Sequence, residues 1–154
     1  MFKKIIQLTI ILFVLNGCGY TPMYSTNFKN DFKIELVNFK GDKDLNNFIN
    51  QKIDGLINTE TKDSKIFQVS LSTSYSKDVQ IKDKSGKATE YSLNANASFT
   101  IEINDKLEEI SFNEKTSLTK FNDEFEEANY ERSFKENISQ TFINKLIIYL
   151  SRIK

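Results

Sequence analysis

Apolar and polar residues alternate along this chain with two different periods, and the switches between them divide it into six elements. Residues 32–39 (FKIELVNF) put Phe32, Ile34 and Leu36 on one side and Lys33 and Glu35 on the other, the period-two pattern of a strand. Val37 and Phe39 spread the apolar set to both sides near its end, so burial on both faces is expected there. In residues 42–58 the period changes. Leu45, Phe48, Ile49, Ile53, Leu56 and Ile57 fall on one stripe of an amphipathic helix. Asp42 or Asp44 is placed to cap it, and Gly55 weakens its last turn by about 1 kcal/mol relative to Ala.

Period two returns in residues 66–82, where Phe67, Val69, Leu71, Thr73 and Tyr75 oppose Gln68, Ser70, Ser72, Ser74 and Ser76. It returns again in residues 89–104, where Tyr91, Leu93, Ala95, Ala97, Phe99, Ile101 and Ile103 oppose Ser92, Asn94, Asn96, Ser98, Thr100 and Glu102. Residues 83–88 (DKSGKA) and Asn104-Asp105 are turns. Residues 106–120 keep a weaker alternation through Leu107, Ile110, Phe112 and Leu118. Three strands joined by short turns read as an antiparallel meander. The two central ones would each reach about 50 Å if fully extended.

Residues 122–152 form the longest periodic segment. Phe134, Ile138, Phe142, Leu146 and Tyr149 step by three or four, and Phe125 and Ala128 continue the stripe upstream. Asn122 or Asp123 is the expected cap. Glu124, Glu126 and Glu127 in the first turn, and Lys145, Arg152 and Lys154 near the last, suit the helix dipole. The run LIIYL (146–150) is apolar all round, which predicts the deepest burial at that end. The order β-α-β-β-β-α, with one wet sheet face, defines an α+β fold. It is a two-layer sandwich with two helices packed on one face of a four-stranded, mainly antiparallel sheet.

Composition removes whole classes of function. The 154 residues hold 21 basic and 21 acidic side chains, no His, one Cys and no Trp. Without His the commonest general base and zinc ligand is missing. One Cys allows neither an internal disulfide nor a multi-Cys metal site. Zero formal net charge gives no global attraction to nucleic acid. No enzyme activity, metal, cofactor or nucleic-acid partner is expected.

The N-terminus carries a targeting pattern. Lys3 and Lys4 precede an apolar run of 11 residues, Ile5–Leu15, too short to span a bilayer but of secretory-signal length. It ends in Leu15-Asn16-Gly17-Cys18, which resembles a bacterial lipobox, where the Cys thiol takes a diacylglyceryl group and becomes the mature N-terminus. The chain's single Cys sits where a lipobox needs it. Residues 1–17 are thus expected to be a lipoprotein signal peptide, Cys18 the lipidation site and residues 18–31 a lipidated tether. Residues 32–154 are expected to form a single α+β domain. Stable anchoring needs more than one acyl chain, and a triacylated Cys18 supplies it. With Lys3 and Lys4 removed, the mature chain would carry a net charge of −2. In well-studied bacteria an Asp after the Cys tends to hold lipoproteins in the inner membrane, and by that rule Gly19 is expected to permit export to the outer membrane.

Few constellations could carry chemistry. Glu108-Glu109, read as lying at a turn, and Glu124, Glu126 and Glu127 are carboxylate groups. A glycosidase would need two of them facing each other across a cleft. A Ser-Lys pair could arise by proximity alone in a chain rich in both. No phosphate-binding glycine loop is present. Residues 77–87 hold Lys77, Lys82, Lys84 and Lys87 against Asp78 and Asp83, a basic tip that would attract anionic lipid phosphates or simply protect a sheet edge from aggregation. The polar side of the long strands is less ordinary. Ser70, Ser72, Ser74, Asn94, Asn96 and Ser98 make a small, uncharged, hydrogen-bonding face, suited to packing inside a protein cavity. The chain's general richness in Asn would also produce such a face.

Cys18-Gly19-Tyr20-Thr21-Pro22-Met23-Tyr24 resembles the Cys-Gly-aromatic-x-Pro-Leu-Tyr start of alphaproteobacterial members of the LPS-assembly lipoprotein family, LptE. Met23 replaces that family's leucine and Tyr20 its phenylalanine. The resemblance implies the same β-α-β-β-β-α arrangement and a lipid anchor in the inner leaflet of the outer membrane, on its periplasmic side. It implies a place as plug and assembly factor of the large β-barrel LptD, supporting insertion of lipopolysaccharide into the outer leaflet. It also implies lipopolysaccharide contact through basic residues at one sheet end, for which Lys82, Lys84 and Lys87 are the nearest candidates. The alternative is a periplasmic lipoprotein serving another envelope complex, such as an auxiliary subunit of an ABC-type lipid transporter.

Overall fold

A computed structural model describes residues 32–56, 65–103 and 106–153. The expected signal peptide, Cys18 and the tether lie outside the described residues, as do Ile57, the turn Asn104-Asp105 and Lys154. The elements are β1 (Phe32–Gly41), α1 (Lys43–Leu56), β2 (Lys65–Lys82), β3 (Ala88–Ile103), β4 (Lys106–Thr119) and α2 (Glu124–Arg152). The four strands lie side by side in sequence order. β1 runs parallel to β2, and β2, β3 and β4 are antiparallel. A parallel neighbour needs a crossover connection, and α1 lies within it between β1 and β2. This is the expected fold class, a mixed sheet covered on one face by two helices.

The covered face and the helix stripes form one core. Phe67, Val69 and Leu71 of β2, Ala95, Ala97, Phe99 and Ile101 of β3, Leu45, Ile49 and Ile53 of α1, and Phe142, Ile143, Leu146, Ile147 and Leu150 of α2 are buried together. Each buried Val, Leu, Ile or Phe of this set contributes about 1.5–3 kcal/mol. Phe32 meets Phe67 edge-on with ring centroids 5.5 Å apart.

Three local expectations are corrected. The apolar set on both sides of β1 is a β-bulge, not double burial. The register moves from Leu36 opposite Val69 to Asn38 opposite Ser70, leaving Val37 as the extra residue. On this edge strand Val37 and Phe39 remain 44% and 46% exposed. Phe125 and Ala128 do not extend the buried stripe of α2. Phe125 is 71% exposed, because the first turns of the helix run beyond the apolar core. The 146–150 run is not buried all round either, since Ile148 points outward.

The β1–α1 corner is tightly built. Gly41, at φ +95°, lies opposite Thr73, and the Asp42 amide donates to the Thr73 carbonyl at 3.3 Å. Asp42, rather than Asp44, caps α1, its Oδ1 accepting from the Leu45 amide at 2.9 Å. The buried Thr73 hydroxyl donates to Asn46 Oδ1 at 2.9 Å, and Asn46 Nδ2 donates to the Lys40 carbonyl. At the other helix Asp123, rather than Asn122, is the cap and accepts from the Phe125 amide at 2.8 Å.

Beyond the core, the first half of α2 is held by charge. Lys77, on the covered face of β2, reaches both Glu127 and Glu131 at 2.5 Å, with its ammonium over the Tyr91 ring. The Tyr75 hydroxyl donates to Glu131 at 2.8 Å. Lys135 bridges to Asp42 at 3.0 Å and Asp44 at 3.1 Å, and lies over the Tyr75 ring. Burial and the bond to Glu131 hold the Tyr75 phenol well above its usual range. The Lys77 bond, opposed by burial, holds the Glu127 carboxyl below the ordinary carboxylate value, and the Phe121 amide assists. Bonds to acidic partners raise Lys77 and Lys135 against a burial penalty.

The pH dependence follows in sign. Glu127, lowered on folding, stabilises above the ordinary carboxylate pKa and loses that contribution as pH falls through its folded value. Lys77 and Lys135, raised on folding, stabilise below the ordinary lysine pKa and lose it as pH climbs through theirs. The thermal midpoint should therefore be flat from about pH 6 to 9, a range in which His, absent here, would ordinarily titrate. It should fall in acid and again in strong alkali. Lys77→Met is expected to lower stability at neutral pH by about 2 kcal/mol. It should also flatten both declines in a melting series against pH. Unchanged declines would show that the Lys77 ion pairs carry no stability.

Candidate docking surface and cationic tip

Among the described residues, the helices cover one face of the sheet and leave the other open. Strand register aligns the open face into rows. Asn38, Ser70, Thr100 and Glu109 lie side by side, then Lys40, Ser72, Ser98 and Ser111, then Ser74, Asn96 and Asn113. Ser76, Asn94 and Lys115 follow, then Asp78, Ser92 and Ser117. The middle rows are almost wholly small and uncharged. The β2 and β3 members of this face are those expected from alternation. Sequence reasoning missed the β4 members Ser111, Asn113 and Ser117, whose every-second-residue spacing was the available signal. It also missed Asn38, because the bulge switches which β1 residues face outward.

Hydrogen bonds run across the strands. The Ser98 and Ser111 hydroxyls are 2.6 Å apart, and Asn38 Nδ2 donates to Ser70 Oγ at 3.3 Å. Asn94 Nδ2 reaches Ser76 Oγ, Asp78 Oδ2 and Ser92 Oγ, at 3.3–3.4 Å. Asn113 Nδ2 donates to the Ala95 carbonyl. Such side chains hold one another in place, and each retains hydrogen-bonding capacity for a partner.

The cationic tip is smaller than the sequence implies. Lys82 ends β2 opposite Ala88, and Lys84 and Lys87 lie in the β2–β3 turn. All three are exposed and form no ion pair among the described residues. Lys77, counted with them in the sequence, faces the helices and is neutralised by Glu127 and Glu131. Asp83 serves the turn itself. It accepts from Ser85 Oγ at 2.7 Å, the Ser85 amide at 2.8 Å and the Lys87 amide at 3.0 Å. These bonds, led by the Ser85 hydroxyl, hold its carboxyl below the usual range. Gly86 takes φ +84°.

The carboxylate candidates separate. Glu108 and Glu109 lie within β4, not at a turn, and adjacent strand residues point to opposite faces. Glu108 accepts from the Tyr149 hydroxyl at 2.6 Å on the covered side, whereas Glu109 is on the open face. Glu127 is committed to Lys77. No cluster of three or more metal-ligating side chains occurs among the described residues. The buried Ser139 hydroxyl bonds to the backbone carbonyl of Lys135, whose ammonium is held by Asp42 and Asp44. A groove of about 540 Å³ lies between α1 and the first half of α2, lined by Phe48, Arg132 and Lys135 among others. It belongs to the helix layer, away from the open face.

Fold and surface together define a two-layer α+β arrangement with one face covered by helices and one polar face left uncovered among the described residues. This arrangement is similar to the solved structure of rare lipoprotein B from Shewanella oneidensis. The TM-score is 0.57 at 11% sequence identity, and the match covers 76% of this chain and 98% of that one. At that identity the likeness is one of fold. No family model and no curated protein matches the sequence.

Proposed function

We propose that this chain is a lipid-anchored outer-membrane lipoprotein of the LptE family, of the alphaproteobacterial type. In this reading it plugs the lipopolysaccharide-transport β-barrel LptD, assists that barrel's assembly and so supports lipopolysaccharide insertion into the outer leaflet. It does no catalysis. The observation that carries the reading is the open face, whose middle rows are Ser and Asn with charges confined to Lys40 and Lys115 at their ends. The lumen of a large barrel is polar, and a face that exchanges neutral hydrogen bonds enters it without desolvating ions. The lipobox ending at Cys18 supports membrane anchoring, and the fold is shared with a protein named as a lipoprotein. Lys82, Lys84 and Lys87, clustered on one exposed tip, are the residues proposed to meet lipopolysaccharide phosphates.

The test is affinity recovery of the full chain from solubilised envelopes, with and without Cys18→Ala, alongside membrane fractionation. Recovery of a large β-barrel from the outer-membrane fraction is expected. Cys18→Ala should reduce membrane retention far more than barrel binding. Residence in the inner membrane with transporter subunits and no barrel would overturn the reading in favour of an auxiliary-subunit role.

A further inference from the structure

Among the described residues β4 is an edge strand. Its residues 106–119 pair with β3 on one side through an unbroken register, without a bulge, and the strand contains no proline. The outer side of β4 thus presents a long row of backbone amides and carbonyls, the template for pairing with another strand. The other edge, β1, is shorter and interrupted by its bulge.

On its open-face side β4 carries two charges, Glu109 and Lys115. The other members of that set are Leu107, Ser111, Asn113, Ser117 and Thr119. Both charged residues are exposed and take part in no ion pair among the described residues. They are placed symmetrically about Phe112. Two copies of β4 laid antiparallel and centred on Phe112 therefore bring Glu109 of each opposite Lys115 of the other. Ser111 then falls opposite Asn113, again twice. On the covered side Phe112 meets Phe112 of the second copy. No like charges face each other over residues 106–118. Shifting the centre to residue 111 puts Glu108 opposite Glu114, and shifting it to residue 113 leaves both charges opposite uncharged residues. Odd shifts would set the polar face of one copy against the apolar face of the other.

We infer that the free edge of β4 is a recognition surface for a second copy of this chain, joined antiparallel about Phe112 through paired Glu109–Lys115 contacts. The product is one eight-stranded sheet whose Ser/Asn face runs unbroken across both copies. Such an isologous contact closes after two subunits and cannot propagate through β4, because each edge is consumed by the other. The inference concerns the chain on its own and stands or falls separately from the barrel reading.

The test uses the full chain in mild detergent. Its detergent-corrected mass by sedimentation should rise from one chain toward two across a concentration series. A carbodiimide should couple the Glu109 carboxylate to the Lys115 amine as an amide, identified by peptide mass mapping. Within one chain these residues lie about 20 Å apart along the strand, beyond such a bond, so the linked peptide reports two copies. Glu109→Lys and Lys115→Glu should each weaken association by about tenfold or more, since each turns two attractions into two repulsions. The double exchange, Glu109→Lys with Lys115→Glu, should restore it. Melting midpoints of all three variants should match the parent at concentrations where the parent is a single chain, which separates lost association from lost folding. A single-chain mass at every concentration would overturn the inference. So would association indifferent to the single exchanges, as expected of anchors sharing a micelle, or coupling of Glu109 and Lys115 only to a different protein.

Discussion

Replacing Gly41 with Ala is expected to destabilise the domain by about 3 kcal/mol or more. The position combines two constraints. Its φ of +95° is a backbone conformation that side chains rarely tolerate, and a Cβ there would lie 1.7 Å from the Thr73 carbonyl oxygen. That oxygen belongs to the backbone of a central strand and accepts the Asp42 amide, so it has nowhere to retreat. Relief would require β1 to part from β2 or the α1 cap to open, disturbing the buried Thr73–Asn46 bond as well. Gly55→Ala provides the contrast. Nothing lies within 4 Å of the added methyl, and the residue is inside α1. That change should stabilise by about 0.5–1 kcal/mol. Urea unfolding of the two variants checks the pair. Equal effects, or a tolerated Gly41→Ala, would contradict the geometry of the corner.

Asn96→Asp is expected to abolish docking while leaving the fold intact. Asn96 sits in the middle row of the open face between Ser74 and Asn113, half-buried even before any partner arrives. Aspartate has the same shape and keeps an acceptor for the Ser98 hydroxyl, so stability should change by less than about 1 kcal/mol. Docking would strip water from a carboxylate whose nearest cation on this face, Lys115, stands one row away instead of directly opposite. That penalty is several kcal/mol, enough to lower barrel recovery by about a hundredfold. Asn47→Asp, an exposed change on the helix layer, should leave recovery unchanged. If Asn96→Asp binds as the parent does, this face is not the docking surface.

Much of the fold was legible because burial acts through periodicity. Phe67-Val69-Leu71 and Ala95-Ala97-Phe99 spell out a covered face, and the i, i+4 run from Phe134 to Leu146 spells out a helix lying over it. Where burial was absent, pattern misled. Val37 and Phe39 looked like a doubly buried strand end but mark a bulge, which alternation cannot distinguish from two apolar faces. Phe125 fits the stripe of α2 by spacing, yet the sheet below offers Lys77 where an apolar partner would be needed. Charge balance over residues 77–87 was equally blind to direction. Lys77 belongs to the ion pairs with Glu127 and Glu131 under α2, while Lys82, Lys84 and Lys87 remain at the tip. The open face was half visible, since β2 and β3 alternate cleanly but β4 alternates weakly. Its lower contrast has a physical cause. As an edge strand only partly overlaid by α2, β4 carries Glu108 and Glu114 on its covered side, joined to Tyr149 and Lys145.

The most direct measurement is photocross-linking in intact cells from probes placed singly at Ser72 and Asn96, with a third at Ile148 on the opposite side of the domain. If the open face enters the lumen of a large outer-membrane β-barrel, both sheet probes should give adducts with that one barrel polypeptide. Absence of a barrel adduct from Ser72 and Asn96, or adducts there with inner-membrane or soluble proteins while Ile148 alone captures a barrel, would contradict it.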